Sequence, residues 1–239
     1  MSMKMQDRMG YDRSITMFSP DGRLLQVEYA KKTVKQGSTA LGITCKDGVV
    51  LVADKRVSSK LMVADAIEKT FLIDDHIVTT ASGIISDARV LVDRSQLKAQ
   101  QHFVTYNGKI DVLSIVKDMC DLKQICTQSA GLRPFGVSML VAGVEEDGSI
   151  KLFMTEPYGL YFQYRAAATG EQDTEVEEIL QKKWKASITV DDAVKLGIET
   201  LKEVLKGSFD MSNADVAVIR ADTKKVEMLS RDAVKKLVK

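Results

Sequence analysis

Two histidines, three cysteines, two adjacent acid pairs and a group of lysines are the side chains of this sequence whose types could carry out chemistry. His76 and His102 are far apart in sequence and have no partner at metal-ligand spacing, so they read as satisfied core or surface histidines. Cys45, Cys120 and Cys126 are odd in number and also lack metal spacing. Cys120 and Cys126 fall on a predicted helix, where buried thiols are the common reading. Asp74-Asp75 sits at a turn and Asp191-Asp192 at a helix start. Acids are structurally favoured at both places, which argues against paired-carboxylate catalysis. The glycines form no phosphate loop. Lys31, Lys32 and Lys35 cluster on one predicted helix and read as its solvated face. These residue types predict no metal site and no cofactor.

The chain has 239 residues, 45% hydrophobic and 28% charged, ordinary values for a globular protein. A formal net charge of +1 gives no global electrostatic case for binding nucleic acid or a membrane. No apolar run is long enough to span a bilayer, and the opening MSMKMQDRMG lacks the apolar core of a signal peptide. With three cysteines that form no evident framework, the expected compartment is the cytoplasm.

The elements that must position any site begin with residues 11–37. Ser19-Pro20-Asp21-Gly22 is a turn, with Pro20 pre-setting its own φ and Gly22 tolerating backbone that other residues resist. A helix is predicted from about Arg23 to Gln36, with Leu24, Val27, Ala30 and Val34 on one side. Arg23, Glu28, Lys31 and Lys35 lie largely off that stripe. Gly37 stops the helix, as glycine just past a helix end commonly does. Residues 1–13 are polar and weakly patterned and read as a mobile arm. The layout puts an exposed amphipathic helix ahead of the first strand, with an apolar stripe in want of a partner surface.

Beyond Gly37, residues 39–45 and 49–54 are β-rich and turn at Lys46-Asp47-Gly48. Residues 71–73 and 76–81 repeat the pattern around Asp74-Asp75. Ser86 is the expected cap of a long helix, with Asp87 in its first turn and a stripe of Ala88, Leu91, Val92, Ser95 and Ala99. Asn107-Gly108 breaks it. A second long helix starts near Asp111, with Val112, Ile115, Val116, Met119, Leu122 and Cys126 on one face and Gly131 as its stop. Residues 136–144 and 150–155 form another hairpin, and 161–169 read as two short strands. Helices follow at 171–184 and 190–206, the second capped by Thr189, then strands at 215–221 and 226–229 and a short last helix.

Strands, two helices, strands, two helices, strands is the order of an α+β fold, a four-layer αββα sandwich of two facing antiparallel sheets with helix pairs outside. No linker, repeat or low-complexity segment divides it. The expectation is one domain over residues 1–239: an arm at 1–13, the N-terminal turn and helix at 20–37, and the sandwich at 38–239.

Tyr11-Asp12-Arg13, then Phe18-Ser19-Pro20-Asp21-Gly22-Arg23-Leu24, then Gln26-Val27-Glu28-Tyr29-Ala30 resembles the N-terminal signature of proteasome α subunits. GSTALGI, the Asp54-Lys55 pair, Ile67-Glu68-Lys69, ASG, SDARVL and RPFGVS follow in the family's order, so the resemblance covers essentially the whole chain. It is closest to the archaeal type. The family's N-terminal nucleophile hydrolase fold has the same four-layer arrangement.

The resemblance implies a non-catalytic ring former of the 20S core particle. Copies of the chain would form a seven-membered α ring on proteasome β subunits, gate an axial pore and receive a regulatory ATPase by its C-terminal tails. Catalytic β subunits attack with a threonine freed at the N-terminus, whose own α-amine takes the proton. Gly37-Ser38-Thr39 sits where that junction and nucleophile would be, Asp54 matches the acid position, and Lys69 falls close to the lysine. The alternative is therefore a hydrolase processed behind Gly37 that uses Ser38. Against it, the cut would discard the helix that carries the signature, and an uncut Ser38 has an amide in place of an amine. The family further implies an activator-docking pocket between neighbouring subunits, made of Lys69, Gly22, Leu24 and Gly83. It also implies a gate set by Tyr11, Asp12, Pro20 and Tyr29.

Overall fold

The computed structural model describes residues 14–57, 59 and 61–238, the side chains of Asp65 and Ser212 excepted. The arm expected at residues 1–13 lies outside the described residues.

Helix α1 (Leu25–Gln36) comes first. The Ser19–Gly22 turn closes ahead of it, with Gly22 N donating to Ser19 O (2.8 Å) and Gly22 at a φ of 72°. Ser19 Oγ accepts from Arg23 N at 3.2 Å, so one buried serine ties both sides of the turn together. The helix starts two residues later than expected, and its buried stripe is Leu25, Val27, Ala30 and Val34, with Leu24 half-buried. That stripe lies on strands of its own chain, at β4 and β5 below. The expectation of an apolar face waiting for a partner is thus corrected: the face is already covered.

Five strands make one sheet in the order β10-β9-β2-β1-β8: β1 (Ala40–Cys45), β2 (Gly48–Asp54), β8 (Ala166–Thr169), β9 (Ala214–Arg220) and β10 (Val226–Met228). Five more make the other in the order β3-β4-β5-β6-β7: β3 (Thr70–Asp74), β4 (Ile77–Gly83), β5 (Val137–Val144), β6 (Ile150–Thr155) and β7 (Tyr161–Gln163). All pairings are antiparallel. The two short strands read at 161–169 do form, but in different sheets: β7 pairs with β6 and β8 with β1.

Alternation along the strands builds three apolar layers. Leu41, Ile43, Val50 and Val52 face α4 (Asp173–Lys183) and α5 (Val190–Leu205), with Val234 of α6 (Arg231–Val238) joining them. Val49, Leu51, Ala53, Val78, Leu140, Ala142 and Leu152 fill the space between the sheets. Val137, Met139, Val141 and Phe153 face α2 (Ile85–Tyr106) and α3 (Val112–Gln128). This is the expected four-layer αββα sandwich, with α1 added at one end.

Local signals held unevenly. The α2 stripe of Ala88, Leu91, Val92, Ser95 and Ala99 is buried as expected. Ser86 does not cap α2; Ile84 precedes it with no side-chain cap bond. Asp87 lies in the first turn as expected, and it also accepts from both terminal Arg133 guanidinium nitrogens at 2.6 Å and from Gly136 N at 2.9 Å. It clamps the Arg133–Gly136 loop to the start of α2. Asp111 and Thr189 do cap α3 and α5, accepting from Ser114 N and Asp192 N.

Candidate functional site

Four chain segments meet at the α1 end of the sandwich: the last residue before β1, the end of β2, the start of β3 and the end of β4. Gly37 joins α1 to β1 there. Its φ of −70° is ordinary, so glycine is not needed for a left-handed cap. A Cβ at Gly37 would stand 2.2 Å from Gly83 N and 2.5 Å from Ser82 Oγ, so the requirement is close approach of backbones. Gly170, at a φ of +105°, is also crowded, a Cβ there standing 2.6 Å from Ser38 O.

Lys69 lies at the centre of this junction with 2% of its surface exposed. Its ammonium reaches Ser38 O at 2.6 Å, Ser38 Oγ at 2.7 Å, Thr39 O at 3.0 Å and Asp54 O at 3.0 Å. Ser82 Oγ donates to Ser38 O at 2.9 Å, Thr39 Oγ1 to Glu171 O at 2.6 Å, and Glu171 N to Gly37 O at 2.8 Å. Burial pushes the Lys69 amine down to about 7; Asp54 and Asp215 pull it back up and Arg56 adds to the depression. Burial also raises Asp215, which Lys55 holds at 3.0 Å.

The fold therefore brings together Ser38, Lys69 and Asp54, the three positions that the resemblance sets against a hydrolase nucleophile, lysine and acid. What it assembles is a hydroxyl within 2.7 Å of an amine. In the intact chain the Ser38 nitrogen is a peptide amide bonded to Gly37, and a free α-amine to serve as the base would arise only on cleavage behind Gly37. Among the described residues, no group of three or more His, Cys, Asp or Glu side chains is arranged to hold a metal ion.

The residues expected to form a docking pocket fall in two places. Gly83 adjoins Gly37 and Ser82 beside Lys69. Gly22 and Leu24 instead line a hollow of about 650 Å³ with Phe18, Val27, Lys31, Lys32 and Tyr158. Of the residues expected to set a gate, Pro20 and Tyr29 are exposed, while Tyr11 and Asp12 lie outside the described residues.

Sequence reasoning missed Ser82 and Lys123. Lys123 of α3 is fully buried and donates to Val137 O at 3.1 Å and Thr155 Oγ1 at 2.8 Å. The helical period was a usable signal, since residue 123 lies four past Met119 and three before Cys126. The charge argued the other way. His76 is a core histidine with Nε2 2.8 Å from Ile110 O, but it is only half satisfied: Nδ1 is buried without a hydrogen bond, 3.5 Å from Asp74 Oδ2.

Two facing antiparallel sheets between helix pairs, with β1 starting beside a buried lysine, define the class as an N-terminal nucleophile hydrolase-type sandwich. Residues 34–219 match the family described as Proteasome subunit, and residues 11–32 match the N-terminal signature of its A-type members. The chain is 46% identical over 231 residues to the proteasome alpha subunit of Archaeoglobus fulgidus, covering 97% of this chain and 93% of that one. It is 45% identical over 236 residues to the proteasome alpha subunit of Methanosarcina mazei (99% and 94% covered). For the same-named protein of Methanosphaerula palustris the identity is 43% over 236 residues (99% and 98%). The chain belongs to the proteasome subunit family, in its archaeal-type α branch.

Proposed function

We propose that this chain is the non-catalytic α-ring subunit of a cytoplasmic 20S core particle. Seven copies form each outer ring, stack on rings of β subunits that carry the active sites, and restrict substrate entry through an axial pore. The observation that supports a non-catalytic role is the Gly37–Ser38 junction. The Ser38 carbonyl and hydroxyl are both held by Lys69, and α1, which cleavage there would discard, is packed onto the sandwich directly ahead of it.

The same Ser38–Lys69 contact is what favours the other reading, a hydrolase freed behind Gly37. One measurement separates them: intact mass of the chain taken from a particle assembled with the β subunit of the same genome. The full-length mass is expected. A mature chain beginning at Ser38 or Thr39 overturns the non-catalytic reading.

The pore-gating reading assigns the arm of residues 1–13 to the gate, with Tyr11, Asp12, Pro20 and Tyr29 setting its conformation. The docking reading assigns Lys69, Gly22, Leu24 and Gly83 to a pocket for the C-terminal carboxylate of a regulatory ATPase. Within one chain Lys69 and Gly83 are apart from the hollow of Gly22 and Leu24, which suits a pocket completed between neighbours. A carboxylate arriving at Lys69 has one side-chain acceptor to displace, the Ser38 hydroxyl. The other three oxygens belong to the backbone.

A further inference from the structure

A hollow of about 240 Å³ lies at the seam of the two sheets, between α1 and the start of α4. That is room for several waters or for a short ligand. β5 and β6 of one sheet and β8 of the other give it Ser138, Met154 and Ala168. Helix α1 adds Lys31, Val34 and Lys35, and α4 adds Asp173 and Glu177. Glu156, just past β6, is also in its wall. The hollow shares Lys31 with the one at Gly22 and Leu24, and Lys69 is not in its wall.

Two groups in this wall are under-satisfied. Ser138 is 2% exposed, and its hydroxyl makes no hydrogen bond among the described residues. Alternation along β5 puts it on the face of Leu140 and Ala142, which is otherwise apolar. A buried hydroxyl without a partner is costly and calls for one from outside the chain. Glu177 is the second group. It accepts from Ala168 N at 3.4 Å, while the nearby ammonium groups are committed elsewhere. Lys35 pairs with Asp173, and the Lys31 amine stands 4.4 Å from the centre of the Tyr158 ring and 3.9 Å from Glu156. Burial pushes the Glu177 carboxyl up, the bond from Ala168 N and Lys35 pull it back, and Asp173 and Glu156 add to the rise. The wall thus sets Lys31 and Lys35 against Glu156, Asp173 and Glu177, one cation short.

The carboxylates are too widely spread to chelate a metal: among the described residues no three acids, histidines or cysteines are placed to hold one. A cation carried on a stem suits the wall better. An ammonium has three protons to share between a carboxylate and a hydroxyl, and its stem can lie on apolar surface. We infer that this hollow binds a primary alkylammonium group, held by Glu177 and the Ser138 hydroxyl, with its stem against Val34 and Met154. Two sources share that chemistry, a free amine and a lysine side chain. The site goes beyond the ring-subunit reading and does not depend on it. Because α1, both sheets and α4 all line the hollow, its occupant ties the N-terminal helix to the sandwich.

The test is isothermal titration calorimetry of the full-length chain with n-butylammonium and, separately, with N-acetyl-lysine amide, each against KCl at matched ionic strength. Saturable binding of one ligand per chain is expected, with none for n-butanol. Binding of n-butylammonium alone supports a free amine as the occupant; binding of the lysine derivative supports a side chain. Glu177→Gln is expected to weaken binding roughly ten- to hundredfold and Ser138→Ala roughly three- to tenfold. Ser138→Ala is also expected to keep the wild-type thermal midpoint or raise it, since it removes an unpaired buried hydroxyl. It carries the test if circular dichroism shows Glu177→Gln unfolded. Heats no larger than those of KCl for both amines overturn the site. So does n-butanol binding as tightly as the amines, or an unchanged affinity in either folded variant.

Discussion

Lys69 and Lys123 are both cut off from solvent, yet they are held in different ways. An ammonium offers three protons. Lys69 meets four oxygens, and Lys123 meets two. Lys69→Met keeps the stem and leaves Asp54 O without its lysine donor. Ser38 O retains Ser82 Oγ, and Thr39 O retains Asp54 N. The expected cost is about 1–3 kcal/mol in thermal or urea unfolding, together with loss of ATPase-stimulated hydrolysis. An undiminished stimulation at wild-type affinity would remove Lys69 from the docking site. For Lys123, burial lowers the amine to about 8, against roughly 10.4 when unfolded. Between those values the unfolded chain binds more protons, so stability rises with pH across that window, and the full penalty is felt below it. Lys123→Met is expected to be neutral or stabilising at pH 7 and to lose the alkaline rise of roughly 3 kcal/mol. Urea midpoints at pH 7, 8.5 and 10 measure this; a constant gap between the two proteins contradicts it. Helical period pointed to the burial of Lys123 but no local pattern to that of Lys69, and charge argued against both, because a residue's charge says nothing about whether backbone oxygens await it.

At the scale of elements, local pattern was informative wherever one face alone decides burial. The α2 and α3 stripes and the 46–48 and 146–148 turns fell where periodicity and turn residues put them, and the turn expected at 74–75 lies one residue later, at Asp75-His76. Pattern failed where the deciding contact is distant. Asp87 answers to Arg133, which no helix-start rule contains, and the covering of the α1 stripe depends on strands more than forty residues away. Gly37 shows the same limit, since helix-end logic gave the right residue for the wrong reason. Gly37→Ala drives a Cβ against Gly83 N, so the backbone must move, at an expected cost of about 1–3 kcal/mol. Gly131→Ala meets nothing within 4 Å and carries only the strain of a φ of +89°. Protease nicking between α1 and β1 is expected for the first variant and not the second; equal behaviour would remove the packing argument.

For the whole molecule, deleting residues 1–12 from the assembled particle is expected to raise hydrolysis of long peptides several-fold and leave short ones little changed. No change for a peptide too large for free passage would remove the arm from gating. Deleting residues 1–36 is a poorer test of assembly, because it also strips α1 from the ends of β4 and β5 and uncovers the residues beneath.

The order of strands in the β1-containing sheet also bears on time. β1 and β2 are neighbours in sequence and sit at its centre, but β8 flanks β1 and β9 flanks β2. Residue 54 leaves the ribosome long before residue 214 has been joined. At about 5–20 residues per second, the hairpin waits on the order of ten seconds or more with both backbone edges unsatisfied. Its Val49–Ala53 run is among the most apolar in the chain, so the nascent hairpin is a template for pairing with another unfinished chain. Yield during synthesis is therefore governed by how well that half-built sheet is shielded, whatever the stability of the finished subunit.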